Sequence, residues 1–334
     1  MKLSEIQINN FMGIEKLALE FKYPNGKPLD MVVLAGPNGC GKTSVLEACI
    51  LALGRKKLLP NPKKNSQYTR KGSEQFSISV TFIVGEGETG YADVTPRGTK
   101  YKGKFPPEYF PKHDNSQDRL VILEDEYVDM PTEYFSSWRY PKLVGSVPVS
   151  IGGKNEKPAD TEDNRLYLIK QHLINLTASK AFEEDDQEVV SEEKAAYEAM
   201  NTLWNYFYPN RNERFVAKRD TSGGFDIFLD DRASEPVPLD SLSSGEIEVF
   251  TLIGQKIIKP VSDGIIFIDE PELHLHSSWH RGILRALKKI FSGNQIICAT
   301  HSQEILDSAY SYERFTLLPE DDPRIQLDKS KGGK

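Results

Sequence analysis

The sequence predicts an α/β fold on a mainly parallel sheet, with an antiparallel β part near the N-terminus and an inserted helical lobe. Three observations carry this expectation. Residues 31–35 (MVVLA) form an unbroken apolar run that ends at a glycine-rich turn, the pattern of a strand covered on both faces. Residues 265–268 (IIFI) form a second such run, closed by two carboxylates. From about residue 225 onward, strand and helix patterns alternate, the order that builds a parallel sheet.

In chain order, residues 3–8 alternate apolar and polar, as a half-buried strand does. After the strand at 31–35, residues 43–53 read as a helix, with Val45, Leu46, Cys49, Ile50 and Leu53 at helical spacing. Pro60 and Pro62 make the next segment a loop. Residues 76–84 alternate again and can pair with 91–94 across the turn at 85–90. Residues 98–160, rich in proline, glycine and aromatics, give no firm reading. Residues 163–176 and 181–208 read as charged helices, stopped by Pro209. A strand at 225–229 precedes a helix (246–258), strand (265–269), helix (278–291), strand (295–300), helix (302–309) and strand (314–318). The expected divisions are a first lobe at 1–150, a helical insertion at 151–212 and a second lobe at 213–334.

Composition narrows the class. Charged residues at 27% and hydrophobic ones at 38% suit a globular chain. No apolar run reaches the roughly 18–20 residues of a membrane span, and the N-terminus lacks a signal-peptide core. Cys40, Cys49 and Cys298 are too scattered for a disulfide framework or zinc cluster, which points to the cytoplasm. The net charge of −7 argues against a uniformly basic, nucleic-acid-coating surface. Basic residues nonetheless crowd 55–71 and 97–104, and acidic ones crowd 183–193. Such opposed patches either steer partners or are solvated faces.

The strongest motif is Gly36-Pro37-Asn38-Gly39-Cys40-Gly41-Lys42-Thr43, followed by Ser44. It matches G-x-x-x-x-G-K-[ST] between a predicted strand and a predicted helix. Backbone N–H groups can close around a triphosphate only where side chains are small, and a helix N-terminus must face it. Lys42 then reaches the β- and γ-phosphates of ATP, and the Thr43 hydroxyl ligates Mg²⁺. In the strand ending Asp269-Glu270-Pro271, Asp269 is the second Mg²⁺ candidate. Glu270 points elsewhere and is placed to activate water. Leu242-Ser243-Ser244-Gly245-Glu246 offers another anion-binding helix start. His301 follows an apolar strand in Ala299-Thr300-His301-Ser302; alone, such a histidine is more often structural.

Leu242-Ser243-Ser244-Gly245-Glu246 resembles the ABC signature, which in that family completes the ATP site of the opposite subunit. His301 resembles the family's switch histidine, which contacts the γ-phosphate. Ile8-Asn9-Asn10-Phe11 with Gly13, and the Gly-Pro-Asn-Gly loop, resemble RecF, SMC and OLD ATPases rather than transporters. Residues 269–276 (DEPELHLH) resemble the OLD-like branch, of the AAA-21/AAA-15 type. The stretch before Ser244 is too short for an SMC coiled coil, and little chain follows Ser302, so an OLD Toprim nuclease domain is expected to be absent.

The resemblance leaves the Q-loop glutamine open among Gln67, Gln75 and Gln117. It places His274, His276 and His280 near the dimer seam, where zinc binding would lack further ligands. It implies an ATP-hydrolysing homodimer, with higher oligomers open, that regulates an effector such as a nuclease encoded nearby, in DNA metabolism or antiphage defence. Nucleic acid stays a candidate partner through the basic stretches; a membrane does not. A RecF-like DNA-repair ATPase and a transporter ATPase subunit are the alternatives, the latter disfavoured by the N-terminal pattern and DEPELHLH.

Overall fold

The computed structural model describes residues 1–85, 87–112, 119–123, 126, 128–140, 142–149, 164–182, 187–221 and 223–319. Gln117, the acidic residues 183–186 and the Lys/Gly-rich tail after 319 lie outside them. The chain divides into two units. The first comprises 1–137, 261–272 and 280–334, and the second 138–260 and 273–279.

The first unit holds two sheets. Strands β1 (Lys2–Phe11), β2 (Ile14–Glu20), β4 (Ser77–Val84), β5 (Glu88–Thr95), β6 (Gly98–Gly103) and β7 (Arg119–Leu123) pair antiparallel in the order β2-β1-β4-β5-β6-β7. The expected pairing of 76–84 with 91–94 is there, with β5 starting three residues earlier. Strands β3 (Met31–Ala35), β8 (Thr132–Phe135), β12 (Ile265–Asp269), β13 (Gln295–Thr300) and β14 (Arg314–Thr316) form the parallel sheet, ordered β14-β3-β13-β12-β8. Every residue of β3, β12 and β13 is buried. This is why their apolar residues run continuously (MVVLA, IIFI and IICA) rather than alternating. Each such Val, Leu or Ile contributes about 1.5–3 kcal/mol by leaving water. The buried Gln295 stitches the two sheets together. Its carboxamide accepts from Leu3 N–H (2.7 Å) and donates to the Leu3 and Leu29 carbonyls (both 2.8 Å).

Helices α1 (Lys42–Ala52), α5 (His280–Ile290) and α6 (Gln303–Ser308) complete this unit. The second unit carries α2 (Arg165–Phe182), α3 (Gln187–Phe207) and α4 (Ser244–Ile258) with the antiparallel strands β9 (Arg214–Arg219), β10 (Phe225–Asp230) and β11 (Val237–Pro238). The strand expected at 225–229 is β10, which pairs within this small sheet and not within the parallel one. A buried lysine organises the unit. Lys170 of α2 pairs with Asp226 of β10 (2.8 Å) and with Asp240 (2.9 Å), just before α4. A buried charge is tolerable only with such partners. No helix among the described residues is long and apolar enough to cross a membrane.

Candidate nucleotide site

The loop from Gly36 to Gly41 joins β3 to α1. Leu317 N–H donates to the Ala35 carbonyl (2.8 Å), drawing the chain after β14 against the loop. A Cβ on Gly36 would lie 2.2 Å from the Leu317 carbonyl oxygen, so only glycine fits there. Pro37, Asn38 and Gly39 are exposed, and Cys40 is half-buried. Gly41 caps α1 in the left-handed conformation (φ 93°). No side chain caps α1, and its first turn has no acidic residue. The helix therefore presents its first N–H groups and the positive end of its dipole to the loop. The buried Lys42 ammonium donates to the carbonyls of Gly36 (2.9 Å) and Pro37 (3.0 Å). Ser44, next along α1, is half-buried.

Two further strand ends meet this loop region. Asp269, the last residue of β12, is 1% exposed, and its Oδ2 accepts from the Thr43 hydroxyl (2.8 Å). A hydroxyl and a carboxylate side by side are hard oxygen donors of the kind Mg²⁺ takes, so this pair fits the ion. Half-buried Glu47, on α1, carries a raised pKa. Burial is the main cause, and Asp269 adds to it against the opposing Lys63. Glu270 leaves the strand in the left-handed region (φ 52°), pinned by its N–H donating to the Ala299 carbonyl (2.8 Å). A non-glycine residue held there costs on the order of 1–3 kcal/mol, a common feature of functional sites. Pro271 disfavours the right-handed helical alternative for Glu270. The turn parts the two carboxylates: Asp269 meets Thr43, while Glu270 Oε1 lies 3.7 Å from His301 Nδ1.

His301 follows β13 with its ring half exposed. Beneath it is a residue the sequence reading did not single out. Glu272 is buried; its Oε1 accepts from the Thr300 hydroxyl (2.7 Å) and His301 N–H (3.1 Å) and lies 3.4 Å from His301 Nδ1. The signal was present as the third carboxylate of Asp269-Glu270-Pro271-Glu272. Of the three glutamine candidates, Gln67 and Gln75 lie among the described residues and Gln117 does not. Gln67 accepts from Lys64 N–H (3.0 Å) in a short turn, and Gln75 precedes β4. Ile268 of β12 pairs with Phe135 of β8, so buried Ser136, one step on, is level with Asp269.

Thus Lys42, Thr43, Asp269, Glu270 and His301 all lie in the first unit, and Ser243, Ser244, Gly245 and Glu246 in the second. There Ser243 caps α4 in a reciprocal box. Glu246 N–H donates to Ser243 Oγ (3.4 Å), and Ser243 N–H to the Glu246 carboxylate (2.9 Å). Burial opposes ionisation of Glu246, but the Ser243 hydrogen bonds and the Arg211 guanidinium outweigh it and lower its pKa. A Cβ on Gly245 would come within 2.8 Å of the His274 carbonyl oxygen, fixing glycine there. The three histidines of the 274–280 stretch are engaged separately. The His274 ring meets Tyr140, and Nδ1 of His276 and His280 meet the hydroxyls of Ser278 (2.9 Å) and Ser302 (3.0 Å).

The chain resembles known proteins along most of its length. The family model described as "AAA domain" matches residues 5–222, and the one described as "AAA domain, putative AbiEii toxin, Type IV TA system" matches 206–307. The chain is 21% identical to the Retron Ec83 probable ATPase of Escherichia coli, over 91% of this chain and 69% of that protein. It is also 21% identical to the Septu protein PtuA of Bacillus mycoides, over 90% of this chain but only 38% of that longer protein. A crystal structure of the Smc head bound to the C-winged helix domain of ScpA shares the fold. Its TM-score is 0.59 at 13% identity, over 92% of this chain and 93% of that one. The chain belongs to the AAA domain family and is an ABC-type P-loop ATPase of the RecF/SMC branch.

Proposed function

We propose that two copies of this chain form an ATP-driven cytoplasmic switch that controls a partner effector, a nuclease being the first candidate, in antiphage defence or DNA metabolism. The observation that carries the reading is the second helix N-terminus, Ser243–Glu246, in the unit that does not contain the phosphate loop. An ATPase acting alone has no use for it. In the proposed dimer each site takes Lys42, Thr43, Asp269 and Glu270 from one copy and Ser244 and Gly245 from the other. The relatives named as a retron ATPase and a Septu protein favour the defence arm. The proposal keeps the division into 1–150, 151–212 and 213–334; α2 and α3 both fall in the middle segment.

Within each site, Lys42 exchanges its loop carbonyls for the β- and γ-phosphates, while the loop and α1 N–H groups hold the remaining phosphate oxygens. Thr43 and Asp269 would hold Mg²⁺, which when bound offsets charge on the phosphate oxygens. Glu270 orients a water and accepts its proton as the water oxygen bonds to the γ-phosphorus and the bond to the β–γ bridging oxygen breaks. ADP and phosphate result. His301 donates to the γ-phosphate.

Glu270→Gln tests the reading. It should keep ATP bound and slow turnover by about 10²-fold or more. Incubated with ATP, it should then run in gel filtration at twice the mass of the nucleotide-free protein. A monomer with ATP bound would remove the dimer from the account, and turnover at the wild-type rate would remove Glu270 from catalysis.

A further inference from the structure

We infer that Glu272 is a positioning residue for His301, holding the imidazole where the γ-phosphate needs it. The inference rests on the role of His301 proposed above and extends it to a side chain that touches no substrate atom in that scheme. Its carboxylate is buried, a costly placement unless hydrogen bonds or charges compensate. The compensation converges on one short segment. Oε1 receives both the Thr300 hydroxyl (2.7 Å) and the His301 N–H (3.1 Å). The Thr300 hydroxyl in turn accepts from Ser302 N–H (2.9 Å). Ser302 Oγ then meets His280 Nδ1 (3.0 Å) and accepts from Ile305 N–H (3.4 Å) as the cap of α6. The backbone on both sides of His301 is thereby fixed, while its ring stays half exposed.

The ring also has two acidic neighbours. Glu272 and Glu270 carboxylate oxygens lie 3.4 and 3.7 Å from Nδ1. Two carboxylates beside one ring nitrogen favour a hydrogen on it and so fix how the ring presents its other nitrogen. Partners of this kind behind metal-bound histidines are worth about 10–100-fold in affinity or activity, and an effect of that order is expected at His301. Glu272 Oε2 is buried without a hydrogen-bond partner among the described residues. The contacts to the Thr300 hydroxyl, to His301 N–H and to the imidazole are thus all made by Oε1.

The test is a double-mutant cycle on steady-state ATP hydrolysis by the full chain. Glu272→Ala should lower kcat about 10–100-fold with little change in ATP affinity. Glu272→Gln, which keeps an acceptor for Thr300 and His301, should recover part of the loss. In a His301→Ala background, adding Glu272→Ala should cost less than about twofold, because the residue through which it acts is gone. Nuclear magnetic resonance of the His301 ring nitrogens should report a changed tautomer balance in both Glu272 variants. If the losses multiply in the double mutant, or the ring signals stay put while activity falls, Glu272 does not act through His301. His301→Ala with wild-type turnover would instead overturn the proposed role of His301. Should Glu272→Ala fail to bind ATP, Thr300→Val removes one strand of the same clamp. It should show the same dependence on His301; an independent effect would refute the clamp.

Discussion

The two helix N-termini of this chain are built in opposite ways. α1 begins after a left-handed glycine, with no side-chain cap and no acidic residue in its first turn. α4 begins with Ser243 and Glu246 capping each other, and so places a carboxylate in its first turn. The first leaves its N–H groups and its dipole for an anion. The second serves part of its own need, and its carboxylate is balanced by the Arg211 guanidinium rather than by a ligand. A helix end that already carries a negative group makes a poor triphosphate cradle of its own. It suits a lighter task, offering the Ser244 and Gly245 backbone to a phosphate held elsewhere.

The largest expected effect falls on the open end. Lys42→Ala removes the mobile cation of the cradle and should abolish ATP binding, measured by equilibrium dialysis with labelled nucleotide. Undiminished binding would show that α1 is not the nucleotide-binding helix.

A smaller effect probes the capped end. Glu246→Ala should cost about 1 kcal/mol in urea denaturation at neutral pH, the usual worth of a cap. The pKa of Glu246 is lowered in the folded chain, so its contribution is present above the ordinary carboxylate range. It is lost as pH falls through the depressed pKa. The stability gap between wild type and Glu246→Ala should therefore close in acid. A gap independent of pH would mean that the ionised carboxylate is not what stabilises the cap.

Sequence made the first helix end far more legible than its surroundings. The strand, glycine loop and helix of 31–53 could be read directly, because continuous burial and a phosphate-sized turn each constrain residue type. Asp269 and Glu270 could be read for the same reason, at the end of a wholly buried strand. β8 could not. Only four residues long, in a segment of turns and aromatics, it is a parallel-sheet strand solely through its register with β12. Ser136 was invisible with it, since its place beside Asp269 comes from the pairing of two strands far apart in the chain. Glu272 was visible as a residue but not as a partner of Thr300 and His301, because that relation exists only once β12 and β13 lie side by side. In the second unit, β9 and β11 gave no alternation to read, and β10 was read as a strand without its sheet partners.

The account turns on whether the capped end of one copy completes the open end of another, and mixing two defective proteins tests this most directly. Ser244→Arg alone should bind ATP but not hydrolyse it, and Lys42→Ala alone should do neither. In a two-fold dimer either change disables both sites. A mixed dimer has one site with both defects and one with neither. Mixing the two inactive proteins should therefore restore hydrolysis, towards about half the wild-type rate per mixed dimer by site counting. Normal hydrolysis by Ser244→Arg on its own would contradict the shared site outright.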